Sequence, residues 1–106
     1  MYVRVSIMQS TPDRVDAAIR FFRDETMPQV RELAGFEGAS MFVGRENGHI
    51  RVETYWTDQK ALEASATTAN RLRQEFLERT PNGRIAGVEV FEVAAQEGRG
   101  HLSAAA

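Results

Sequence analysis

A chain of 106 residues, 42% apolar and 26% charged, has the apolar mass for one buried core, too much for a disordered segment and too little length for two domains. Its 13 basic and 15 acidic residues are scattered along the sequence and leave a net charge of −2, so no basic field is available for a nucleic-acid backbone. The absence of cysteine removes disulfides, a thiolate nucleophile and thiolate metal sites, and no stretch approaches the ~18 apolar residues of a membrane span.

At the amino terminus, MYVRVSIMQS alternates apolar and polar residues and lacks the basic start and apolar run of a signal peptide, so a cytoplasmic location is expected. Val3, Val5 and Ile7 fall on one face of this first strand and Tyr2, Arg4, Ser6 and Met8 on the other. Thr11 is a suitable N-cap, with Pro12 at the first helical position and Asp13 near the positive helix end. Val15, Ala18, Ile19, Phe22, Val30 and Leu33 then predict a helix from Pro12 to about Leu33, kinked or broken near Met27 by Pro28 and closed at Gly35. Phe36 to Val43 reads as a second strand. Residues 45–48, Arg-Glu-Asn-Gly, form a hairpin turn in which Asn-Gly supplies positive φ, and His49 to Trp56 is the returning strand.

Thr57 or Asp58 caps a second helix whose inward stripe is Leu62, Ser65, Ala69, Leu72 and Phe76, with Arg71, Arg73, Glu75 and Glu78 mostly facing solvent. Thr80-Pro81-Asn82-Gly83 ends it, and Arg84 to Val93 alternates again as a fourth strand. One domain over residues 1–94 is therefore expected, followed by a disordered tail over 95–106, where periodicity and bulk are lost. The order βαββαβ is the ferredoxin-like α+β arrangement: a four-stranded antiparallel sheet, strand order 4-1-3-2, with both helices on one face. Val3, Val5, Ile7 and Val52 are expected under the helices. Tyr2, Arg4, Ser6, Met8, His49, Arg51, Glu53 and Tyr55, joined by Phe42, Val88 and Val90, are expected on the open face. So many aromatic and branched residues suit burial against a second copy, so a homodimer through the open sheet face is expected.

Phe36-Glu37-Gly38, the run Glu53-Thr54-Tyr55-Trp56-Thr57-Asp58 and Ala61-Leu62, within a βαββαβ chain, resemble the antibiotic biosynthesis monooxygenase (ABM) domain family of the dimeric α+β barrel superfamily. The resemblance covers about residues 2 to 94. It implies a ligand cavity between the helices and the sheet, with Trp56 as a wall. Many members carry a histidine early in the second helix, and here that place is Ser65, which leaves no evident axial ligand for haem iron. The asparagine that helps position oxygen or substrate is also missing from the sheet, since Asn47, Asn70 and Asn82 fall on turns or a helix.

Trp56 is the candidate catalytic residue: it could stack on a planar aromatic and donate its indole N–H to a carbonyl or developing oxyanion, or it could simply close the core at the end of the sheet. Phe22, Met27, Trp56, Ser65 and Phe76 are the candidate substrate-binding residues. The aromatic and thioether groups among them suit flat apolar ligands, although core packing uses the same residue types. Ser65 could bond a ligand or could merely let helix and sheet approach. His49 could act as a base or stand in solvent beside the turn. Asp24 and Glu25 diverge around the helix and cannot share a proton. The implied activity is cofactor-free oxidation, by dioxygen, of an electron-rich aromatic such as a quinol or anthrone. The alternative is a non-catalytic dimeric module that binds a small hydrophobic ligand. No metal or cofactor is expected for either.

Overall fold

The structure, a computed structural model, describes residues 1–97; most of the tail expected at 95–106, and His101 with it, lies outside the described residues. Strand β1 is Tyr2–Gln9, β2 is Phe36–Gly44, β3 is His49–Trp56 and β4 is Arg84–Glu92. All neighbouring pairs are antiparallel, in the order β2-β3-β1-β4, which is the expected topology of a ferredoxin-like α+β fold.

The first helical region is not one kinked helix. A 3-10 turn at Pro12–Arg14 leads into α1 (Val15–Phe21), a π-helical segment follows at Phe22–Thr26, and α2 (Met27–Val30) ends three residues short of Leu33. Pro28 has no N–H to return to the preceding turn. The strain is taken up as a wider turn upstream, where Met27 donates to the Phe22 carbonyl five residues back, instead of as a bend at Met27. The second helical region is also divided, into α3 (Gln59–Ala64) and α4 (Ala66–Arg79). Asp58 caps α3 by accepting the Ala61 N–H at 2.8 Å. At Ser65 the hydroxyl donates to the Leu62 carbonyl at 2.6 Å, so a side chain takes up an acceptor of the helical ladder where it breaks.

In the hairpin only Gly48 has positive φ, at 75°, and its N–H bonds to the Gly44 carbonyl at 2.8 Å. Asn47 contributes through its side chain, which accepts the His49 N–H at 2.9 Å. Ser10 clamps this turn to the end of β1, since its N–H and its hydroxyl both donate to the Gly48 carbonyl, at 2.9 and 2.8 Å.

Strand pairing reverses the expected faces of β1. Arg4, Ser6 and Met8 lie opposite Thr54, Val52 and Ile50 on the helix side, whereas Val3, Val5 and Ile7 share the other face with Tyr55, Glu53 and Arg51. The helix-side core gathers Met8, Ala18, Ile50 and Phe76, with Phe21, Met41 and Val52 packed against it. Val3, Val5 and Tyr55 form a second cluster, with Ile7 and Val93, on the face that the helices leave open. Val88 and Val90 also change sides, because they pair with Ser6 and Arg4; both remain exposed on the outer strand. Phe42 and Phe91, in register with Arg51 and Val3, are the exposed aromatics of the open face.

Candidate functional site

A cavity of about 60 Å³ lies between the helix side of the sheet and the two helical regions. Its floor comes from β1 and β3 through Arg4, Ser6, Met8, Ile50, Thr54 and Trp56. Phe21, Phe22, Thr26 and Val30 form one wall, and Ser65, Leu72, Arg73 and Phe76 the other. The π-helical segment therefore supplies two lining residues, Phe22 and Thr26, from the place where the helix is widened. The volume is narrow beside the ~300–1,000 Å³ of sites that enclose drug-sized ligands.

Of the residues singled out from sequence, Phe22, Trp56, Ser65 and Phe76 converge on this cavity, while Met27 is not among its lining residues. Trp56 is 1% exposed and stands edge-on to Phe36, with ring centroids 5.7 Å apart. Its indole N–H donates to the Thr54 hydroxyl at 3.0 Å, so what it offers a ligand is a ring and not a free donor. Ser65 is equally committed: it accepts from Arg4 Nη1 at 2.7 Å and donates to the Leu62 carbonyl. Trp56 and Ser65 close the cavity with their polar atoms already satisfied.

The residues that sequence reasoning sent elsewhere are the two arginines. Arg4 is 6% exposed beneath the helices, and besides Ser65 its guanidinium donates from Nη2 to the Leu62 carbonyl at 2.9 Å. Arg73, expected to face solvent, reaches back from α4 to donate from Nη1 to the Ser6 hydroxyl at 3.1 Å and from Nη2 to Asn70 Oδ1. Burial, and secondarily the nearby Arg73 charge, lowers the Arg4 pKa below the ordinary guanidinium value; burial does the same to Arg73. The signal that could have found this pair was local: Arg4 and Ser6 occupy alternate positions on one face of a central strand, where a polar pair needs partners from the layer above.

No histidine, cysteine or tyrosine lines the cavity, and no cluster of three metal-ligating side chains occurs among the described residues. Haem does not fit this set: the place where the resemblance implies a histidine is a serine bonded to Arg4, and no histidine lines the cavity. The polar residues of the open face lie on the opposite side of the sheet from the cavity. There Tyr55 donates to Glu53, which also pairs with Arg51 at 3.0 Å, and burial with the Glu53 carboxylate raises the Tyr55 pKa well above the ordinary phenol value. His49 is exposed beside the turn, away from the cavity lining.

No protein-family model matches the chain. It is 30% identical over 104 residues to the uncharacterized protein Rv2557 of Mycobacterium tuberculosis strain H37Rv; the match takes in 98% of this chain and 45% of that one, so the chain spans about half the length of the curated relative. Among solved structures, the monooxygenase from the ActVA-Orf6 gene of Streptomyces coelicolor, in complex with nanaomycin D, superposes with a TM-score of 0.70 at 13% identity, over 93% of this chain and 92% of that one. The haem degrader MhuD of Mycobacterium tuberculosis, with two haems in its active site, gives 0.65 at 18% identity, over 92% and 100%. The chain has the fold of the ABM structures that its sequence resembles.

Proposed function

We propose that this ABM-fold chain binds a small planar aromatic molecule between its helices and its sheet, and that it oxidises an electron-rich aromatic, a quinol or anthrone, with dioxygen and without flavin, metal or haem. The observation that carries this reading is the cavity itself: Phe21, Phe22, Phe76 and Trp56 line a space whose wall is widened at the π-helical segment. For an anthrone the balance is simple. The reacting methylene loses two hydrogens and becomes a carbonyl carrying one oxygen atom of dioxygen, and the other oxygen leaves as water with those hydrogens. The substrate supplies all the electrons, so the protein's part is to exclude water, hold the ring against Trp56 and favour the electron-rich anion.

A second reading, a binding module without turnover, is favoured by one specific observation. The Trp56 N–H and the Ser65 hydroxyl are both bonded within the protein, and no carboxylate or imidazole lines the cavity to take a proton. Oxygen consumption on a panel of anthrones and hydroquinones separates the two. The oxidase reading expects uptake well above the buffer rate, with Trp56→Phe slower by roughly tenfold, the equivalent of one lost orienting contact. Uptake at the buffer rate on every compound, with ligand binding retained, would establish the binding module instead.

A further inference from the structure

Among the described residues, six arginines reach a carboxylate, Arg14, Arg23, Arg45, Arg51, Arg71 and Arg79, and Arg20, Arg31 and Arg84, which reach none, lie outside the cavity lining. Arg4 and Arg73, which line the cavity, reach none among the described residues. Their acceptors are all neutral: the Ser65 hydroxyl and Leu62 carbonyl for Arg4, and the Ser6 hydroxyl and Asn70 side-chain carbonyl for Arg73. A guanidinium carries five N–H donors, and each of these two uses two of them on the protein. The Leu62 carbonyl, near the end of α3, offsets part of the Arg4 charge along one edge. It does nothing for Arg73, whose nearby charge opposes that of Arg4. No aspartate or glutamate lines the cavity. Arg4 is buried and Arg73 half-buried beside it, and a guanidinium taken out of water without a counter-charge is costly, since buried charges in proteins are ordinarily paired.

We propose that Arg4 and Arg73 form an anion-binding floor and that the ligand is a planar aromatic acid, its ring among Phe22, Phe76 and Trp56 and its carboxylate or phenolate oxygen held by the two guanidiniums. This rests on the small-molecule reading of the cavity and adds the charge of what enters it. Both groups a planar acid needs are in the lining: the cationic groups come from β1 and α4, and the ring surface from Phe22 of the first helical region, Phe76 of α4 and Trp56 of β3. Guanidinium donors match a carboxylate or phenolate oxygen in both charge and geometry. An anion there also removes the cost that the empty pair imposes, so the protein gains stability on binding it.

Calorimetric titration of the full chain with 2-naphthoate and its neutral counterpart 2-naphthamide tests this. The wild type is expected to bind the naphthoate tighter by roughly tenfold or more, the strength of charge-assisted bonds. Arg73→Gln is expected to abolish that preference and to leave the amide affinity in place. The naphthoate should also raise the melting temperature of the wild type more than that of Arg73→Gln, a difference that a purely structural arginine would not produce. Bound 2-naphthol showing the naphtholate absorption band would identify phenolate as a form the pair accepts; its absence beside a naphthoate preference would identify carboxylate. Equal affinity of the wild type for naphthoate and amide overturns the anion floor and leaves the cavity standing. Binding of neither overturns the cavity reading and this inference with it.

Discussion

At Ser65 a single hydroxyl holds two groups together, accepting from Arg4 on the central strand and donating to the Leu62 carbonyl where the second helical region breaks. The residue is 2% exposed, so both bonds are made away from bulk solvent. Removing the hydroxyl leaves a buried guanidinium N–H without its acceptor, and the cost of such an orphan exceeds the net worth of the bond. Ser65→Ala is expected to destabilise the protein by about 1–3 kcal/mol, seen as a lower urea midpoint with an unchanged slope. A midpoint within error of the wild type would mean that Arg4 finds another acceptor and that the hydroxyl is there only for its small size. An imidazole at this position would have to displace the arginine.

At the scale of elements, the approach of α3 to the start of β2 depends on Gly35. Its carbonyl accepts the Thr57 N–H at 2.9 Å, its φ is 81°, and a Cβ there would lie 2.4 Å from the Cβ of Ala61. Gly35→Ala therefore forces either the turn or the helix to move and is expected to cost roughly 2–4 kcal/mol; chemical denaturation that finds less than about 1 kcal/mol would show that α3 docks more loosely than this contact requires. The elements themselves were largely legible. Alternation located the four strands, Asn47-Gly48 located the hairpin, and Asp58 located the start of α3, because each rests on local chemistry. Which face of β1 turns inward was not legible, because alternation is symmetric: it separates Val3, Val5 and Ile7 from Arg4, Ser6 and Met8 without saying where the helices lie. Apolarity alone favours the inward side for the valine set, and the register with β3 turns it outward. Pro28 announced a disturbance, but its placement upstream, as a π turn carrying Phe22 and Thr26 into the cavity wall, depends on tertiary packing. Half of the cavity was readable as an apolar stripe. Its arginines were not, since a charged residue on a helix is solvent-facing in most contexts.

At the scale of the whole molecule, the open face of the sheet is where the expected dimer would form. Val3, Val5 and Tyr55 form a cluster there without helical cover, and Phe42 and Phe91 stand 48% and 47% exposed on the outer strands. Val3, Val5 and Tyr55 are buried within the single chain, so it is the two exposed aromatics that a second copy of the chain would cover. Light scattering is expected to give twice the 11.9 kDa chain mass for the wild type, and Phe91→Glu is expected to return the single-chain value. A wild type at 11.9 kDa at micromolar concentration would sink the dimer. Trp56 gives this molecule one more property. It is the chain's only tryptophan, enclosed at 1% exposure with an edge on the cavity, so the intrinsic ultraviolet emission excited at the indole band comes from one position. A quencher too large for the cavity should leave that light undimmed, while one small enough to enter should extinguish it, which makes the protein an optical gauge of access to its own interior.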